Sequence, residues 1–102
     1  MKLGMVDLNK LKTDILRIIG KYLDLSNCQI FFFGSRVTGG GNERSDIDIG
    51  LESSEPISLE IMAQIREEID NLPILYKIDI VDFSAVSEQF RLVAKQKIEV
   101  FN

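Results

Sequence analysis

Three aspartates carry the residue types and spacing best suited to chemistry. Asp46 and Asp48 stand two residues apart in S-D-I-D-I-G-L, and Asp79 lies among apolar residues in Y-K-I-D-I-V-D-F. In an extended chain residues i and i+2 share a face. Asp46 and Asp48 therefore project together, and Ile47, Ile49 and Leu51 project the other way. Two carboxylates aimed at one point repel unless a cation or a shared proton lies between them. Hard oxygen donors suit magnesium, which keeps several waters and binds through one or two carboxylates plus substrate phosphates. Asp79, expected to be buried in mid-strand, needs a cation, an arginine or a proton. The economical arrangement sets it beside the other two on an adjacent strand. Asp82 has the opposite parity and is expected to cap the following turn or helix.

The second chemical feature is the loop ahead of the paired aspartates. The apolar run I-F-F-F stops at Gly34-Ser35. Glycine there lets the chain turn sharply and approach a ligand closely. Ser35 offers a hydroxyl and an amide, and a helix starting at it would favour a phosphate. Arg36 and Arg44 flank the glycine run Gly39-Gly40-Gly41, and either could neutralise triphosphate charge.

Composition removes several alternatives. The 102 residues include no histidine and one cysteine, which excludes Ser-His-Asp and Cys-His catalysis and histidine-ligated zinc. Cys28, at the start of an apolar run, reads as a small buried hydrophobe. The formal net charge of −4 disfavours broad nucleic-acid binding. No apolar run approaches the roughly 20 residues of a membrane-spanning helix, and Met1 to Asp7 lacks a signal-type core. One cytoplasmic domain over residues 1–102 is expected, with no membrane contact.

The elements that must position these groups follow from periodicity. Leu8, Leu11, Ile15, Ile18, Ile19 and Tyr22 recur at helical spacing, predicting a helix over 7–23 with Asp7 as N-cap. Residues 29–33 read as a strand covered on both faces, and 46–51 as a second strand. Residues 52–57 read as a connector. Ser58 caps a helix to about Asn71, striped by Ile61, Met62, Ile65 and Ile69, with Arg66 among its solvated residues. A third strand is predicted over 76–83, and a last helix over 84–95 with Val86, Phe90, Val93 and Ala94 on its core side. The tail 98–101 reads as a short strand or a docking segment, more simply packed on the domain itself. This order gives an α/β (α+β) layered fold with a small sheet of three to four strands.

Gly34-Ser35, a ten-residue spacer and Asp46-Ile47-Asp48 resemble the signature of the DNA polymerase β-like nucleotidyltransferase superfamily. The short chain resembles its minimal nucleotidyltransferases, often paired with a HEPT-type helical protein. The likeness spans roughly Ile30 to Asp82. Where many such chains read G-S-R-A-R-G, this one reads Gly34-Ser35-Arg36-Val37-Thr38-Gly39, keeping the first arginine and placing Thr38 at the second. The resemblance implies a mixed, polymerase β palm-like sheet and transfer of a nucleoside monophosphate, AMP from ATP, to a hydroxyl. It implies that Asp46, Asp48 and Asp79 hold two Mg2+ ions, that Gly34, Ser35 and Arg36 bind the nucleotide, and that Asp79 is the third carboxylate. The implied acceptor lies on a HEPT-like partner, for which the chain would be the antitoxin. The alternative is a catalytically inactive subunit that neutralises its partner by occlusion. Homo-oligomerisation stays open.

Overall fold

The computed structural model describes residues 7–34, 46–74 and 76–101. Helix α1 spans Leu8–Gly20, and Asp7 caps it by accepting from the Lys10 amide at 3.1 Å. A 3-10 turn, Leu25–Asn27, leads into strand β1, Cys28–Phe33. Strand β2 is Ile47–Ser53, helix α2 is Leu59–Asp70 and strand β3 is Ile78–Asp82. Helix α3, Glu88–Ala94, and the short strand β4, Glu99–Val100, follow.

The four strands form one mixed sheet in the order β3-β2-β1-β4. β1 pairs antiparallel with β2 and with β4, and β2 pairs parallel with β3. Parallel neighbours cannot be joined by a tight hairpin, so the chain must cross back over one face. α2 is that crossover. Ser58 starts it as expected, its Oγ accepting from the Ile61 amide at 3.1 Å.

α1 and α2 cover one face. Ile15, Ile19, Ile65, Ile30, Phe32, Ile47, Ile49 and Leu51 are fully buried there. Each such side chain contributes about 1.5–3 kcal/mol through burial. Lys21 and the Tyr22 hydroxyl both donate to Glu68, tying the end of α1 to α2. Arg66 is more than a solvated charge, since its Nη2 donates to the Ile80 carbonyl at 3.4 Å. Cys28 is buried, as its apolar surroundings predict.

The other face carries a second cluster, Phe31, Phe33 and Phe83, partly covered by Val81, Val86, Ala94 and Ile98. α3 lies over part of it, and two expectations about this helix need correction. It starts later than the predicted 84, because Asp82 Oδ1 accepts from both the amide (2.9 Å) and the hydroxyl of Ser84 (2.5 Å), closing a turn. Ser87 is the cap instead, with Oγ 3.1 Å from the Phe90 amide. Phe90 and Val93 are not core residues, being 43% and 63% exposed. Arg91 and Lys95 face the sheet in their place and pair with Glu52, which turns Val93 outward. The tail packs on the domain: β4 pairs with β1, and the Phe101 ring stacks on Phe32 at 4.6 Å.

Candidate active site

The parallel β2–β3 register places Asp48 opposite Asp79, and the antiparallel β1–β2 register places Phe33 opposite Asp48. Paired residues point to the same side of a sheet. Phe33, Asp48 and Asp79 thus form one row across three strands, on the face opposite the α1/α2 core. Asp46 precedes β2 with the same parity as Asp48 and is exposed. Asp48 is half-buried, and Asp79 is exposed rather than buried. The correction to Asp79 has a topological cause: β3 is an edge strand whose apolar neighbours Ile78 and Ile80 both face the other layer. Asp82 points away from this row and caps the Ser84 turn, as its parity predicts.

Like charge gathers along this row. Burial pushes the Asp48 carboxyl above its ordinary value, and repulsion from Asp79 and then Asp46 pushes it further. Among the described residues, no cationic side chain figures among the causes of that shift. Charged neighbours raise a carboxylate's proton affinity because ionisation concentrates like charge, and a divalent ion relieves the same repulsion. Among the described residues, no three acidic side chains stand together ready to grip one ion as they are. The chemistry of the donor set nevertheless fits magnesium: hard carboxylate oxygens on one face, two of the three aspartates exposed.

Gly34 explains why the turn after β1 must be glycine. Its φ is +86°, a region other residues rarely adopt, and a Cβ there would lie 2.3 Å from Asp48 Oδ2 and 3.1 Å from Cγ. The turn therefore rests directly against the half-buried carboxylate. Ser35 and Arg36, with Thr38 and Arg44, lie outside the described residues.

Two residues escaped the sequence reading. Gly50 shares the face of Asp48, and a Cβ on it would meet Phe31 Cε2 at 2.3 Å and Phe83 Cε1 at 2.8 Å. Glu52 belongs to β2 and not to the connector expected there. Its Oε2 accepts from Arg91 Nε at 2.5 Å and its Oε1 from Lys95 Nζ at 2.6 Å. The Arg91 hydrogen bond holds the Glu52 carboxyl below its ordinary value, with Lys95 adding to the effect. Counting parity onward from Asp46 and Asp48 reaches Gly50 and Glu52. The i,i+4 spacing of Arg91 and Lys95 was the matching signal on α3.

The polymerase beta nucleotidyltransferase family model matches residues 13–102. A relative from Haemophilus influenzae, described as a probable protein adenylyltransferase MntA, is 26% identical over 88 residues, covering 84% of this chain and 77% of its own length. Two solved structures share the fold. One is a toxin-antitoxin with AMP-PNP (TM-score 0.66, 17% identity, 87% of this chain and 70% of that chain). The other is a mutant of the toxin-antitoxin MntA-HpeT (TM-score 0.65, 15% identity, the same two coverages). A match running from residue 13 to residue 102, over a mixed sheet that sets Asp48 beside Asp79, leaves one conclusion: the chain belongs to the polymerase beta nucleotidyltransferase family.

Proposed function

We propose that this chain is a magnesium-dependent protein adenylyltransferase, moving AMP from ATP to a hydroxyl on a HEPT-like partner as the antitoxin of a toxin–antitoxin pair. The carrying observation is the in-register pair Asp48 and Asp79, with Asp46 on the same open face and Gly34 packed against Asp48. The relative described as a probable protein adenylyltransferase and the toxin–antitoxin structures of like fold support the choice of acceptor class.

Asp46, Asp48 and Asp79 would hold two magnesium ions. When bound, these neutralise phosphate charge and stabilise the attacking and leaving oxygens of an in-line displacement. The chain's own groups do the rest. Gly34 brings the turn against Asp48, and Ser35 and Arg36, next in the sequence, would bind the β- and γ-phosphates. The acceptor oxygen bonds to the α-phosphorus as the bond to the bridging oxygen breaks and pyrophosphate leaves. Asp79, exposed on the edge strand, would also take the acceptor's proton. A chain with no histidine has only carboxylates, lysines, tyrosines or bound water for that task. The proposed reaction would run in the cytoplasm, where ATP and magnesium are both supplied. Among the described residues no helix is long and apolar enough to cross a membrane.

Occlusion without catalysis is separated from this reading by Asp46→Ala. The partner should still bind the variant while its neutralisation is lost. A variant that neutralises as well as the parent chain would overturn the enzymatic reading.

A further inference from the structure

Beyond the carboxylates, the same sheet face presents an aromatic wall that the transfer chemistry does not use. Phe33 shares the cross-strand row of Asp48 and Asp79. Its ring meets Phe83 edge-on at 5.0 Å and Phe90 at 6.4 Å, and Phe83 meets Phe90 at 5.7 Å. Burial falls along this chain of rings, from Phe83 at 2% exposed and Phe33 at 8% to Phe90 at 43%. One end is seated in the core and the other opens to solvent on the face that carries the aspartates.

Phe90 is held there. Arg91 and Lys95 of its helix both grip Glu52, and Lys95 Nζ also sits 5.6 Å from the centroid of the Phe31 ring. The Ser87 cap fixes the first turn at Phe90 itself. The helix is thus fixed on the sheet, and packing on Phe33 and Phe83 lowers the ordering cost of presenting the ring to a ligand.

We infer that Phe90, backed by Phe33 and Phe83, is the stacking wall for the base of the nucleoside triphosphate. This inference rests on the nucleotidyltransferase reading of the aspartate row. A triphosphate gripped at Asp46, Asp48 and Gly34 carries its nucleoside onto the surface next to that row, and the apolar surface supplied there is aromatic. A phenyl wall recognises a base by area and π-overlap and not by its hydrogen-bonding edge. The selection it provides is therefore for purine over pyrimidine, with no choice between adenine and guanine.

The chain lacks tryptophan, so Phe90→Trp creates a single indole reporter. The full chain would be titrated, with magnesium present, with ATP, GTP, CTP and inorganic tripolyphosphate, which has the phosphates but no base. Quenching of the Phe90→Trp signal by ATP and GTP, without quenching by tripolyphosphate, is the expected result. In calorimetry Phe90→Ala should weaken ATP and GTP about tenfold, the scale of one lost base–ring stack, and CTP less. Tripolyphosphate affinity should stay unchanged. Phe90→Leu keeps the apolar volume and should behave like Phe90→Ala, which separates stacking from packing. Unchanged ATP affinity in Phe90→Ala overturns the inference, as does equal weakening of ATP and tripolyphosphate. Failure of the unsubstituted chain to bind either ATP or tripolyphosphate would instead remove the underlying nucleotidyltransferase reading, and the inference with it.

Discussion

Replacing Gly34 by alanine tests how tightly the turn and the carboxylate are coupled. The backbone there has φ +86°, and the added Cβ would sit 2.3 Å from Asp48 Oδ2, about 1 Å short of ordinary contact. Cγ and Cβ of Asp48, at 3.1 and 3.3 Å, are also too close, so the whole side chain must swing aside. The swing itself is cheap because Asp48 is only half-buried. The stability loss then comes mainly from forcing alanine into the left-handed region, about 1–2 kcal/mol. At roughly 4–8 °C per kcal/mol for a domain near this size, Tm should fall by about 5–15 °C. Activity should fall much further, because a displacement near 1 Å at a reacting group costs on the order of 100-fold. A double-mutant cycle isolates the cause. In an Asp48→Ala background the carboxylate is already gone, so Gly34→Ala should lower Tm as before and leave the residual transfer rate unchanged. The reasoning is refuted if folded Gly34→Ala keeps activity within about threefold of the parent chain. It is equally refuted if the substitution still costs its full factor without Asp48.

Three further outcomes are expected. Gly50→Ala drives a carbon into Phe31 and Phe83, both essentially inaccessible to solvent, and should cost about 1–3 kcal/mol by overpacking, read as a lowered urea midpoint. Asp48→Asn should raise Tm at neutral pH while cutting transfer to a low residual rate. A carboxyl whose folded pKa is raised stabilises the fold below its ordinary value, 3.8, and loses that contribution as pH rises through the folded value. The gain of the asparagine variant should therefore vanish below about pH 3.8, and millimolar magnesium should shrink it at neutral pH. Glu52→Gln, which breaks the clasp on Arg91 and Lys95, should cost about 1 kcal/mol above the acid range. The Glu52 pKa is lowered, so this difference fades as pH falls from its ordinary 4.5 through the folded value, as thermal melts across pH would show.

The aspartate pattern and the glycine turn at Gly34 were legible because both are local. Parity alone put Asp46 and Asp48 on one face and Asp82 on the other, and apolar periodicity located both long helices with their Asp7 and Ser58 caps. The neighbourhood of Asp79 and Asp48 was expected from the cost of an unpartnered aspartate among apolar residues, and the parallel β2–β3 register sets the two side by side. What stayed hidden depends on tertiary contacts. The apolar residues around Asp79 read as burial, but their side chains serve the α1/α2 face of an edge strand and leave the aspartate outside. The rotation of α3 is set by two cations reaching Glu52 across 39 and 43 residues of sequence, which turned Phe90 and Val93 from predicted core to surface. Gly50 had no signal of its own, because the need for a missing Cβ arises only when Phe31 and Phe83 meet above it.

The central claim is nucleotidyl transfer at the aspartate row, and ATP labelled at either end tests it most directly. Purified chain, magnesium and ATP labelled on the α- or the γ-phosphate would be added to lysate of the source cell, beside an Asp46→Ala, Asp48→Ala control. A protein band labelled from the α-phosphate and not from the γ-phosphate, absent with the control, is the predicted result. Label entering from the γ-phosphate, or a band that persists without the two carboxylates, would contradict the account.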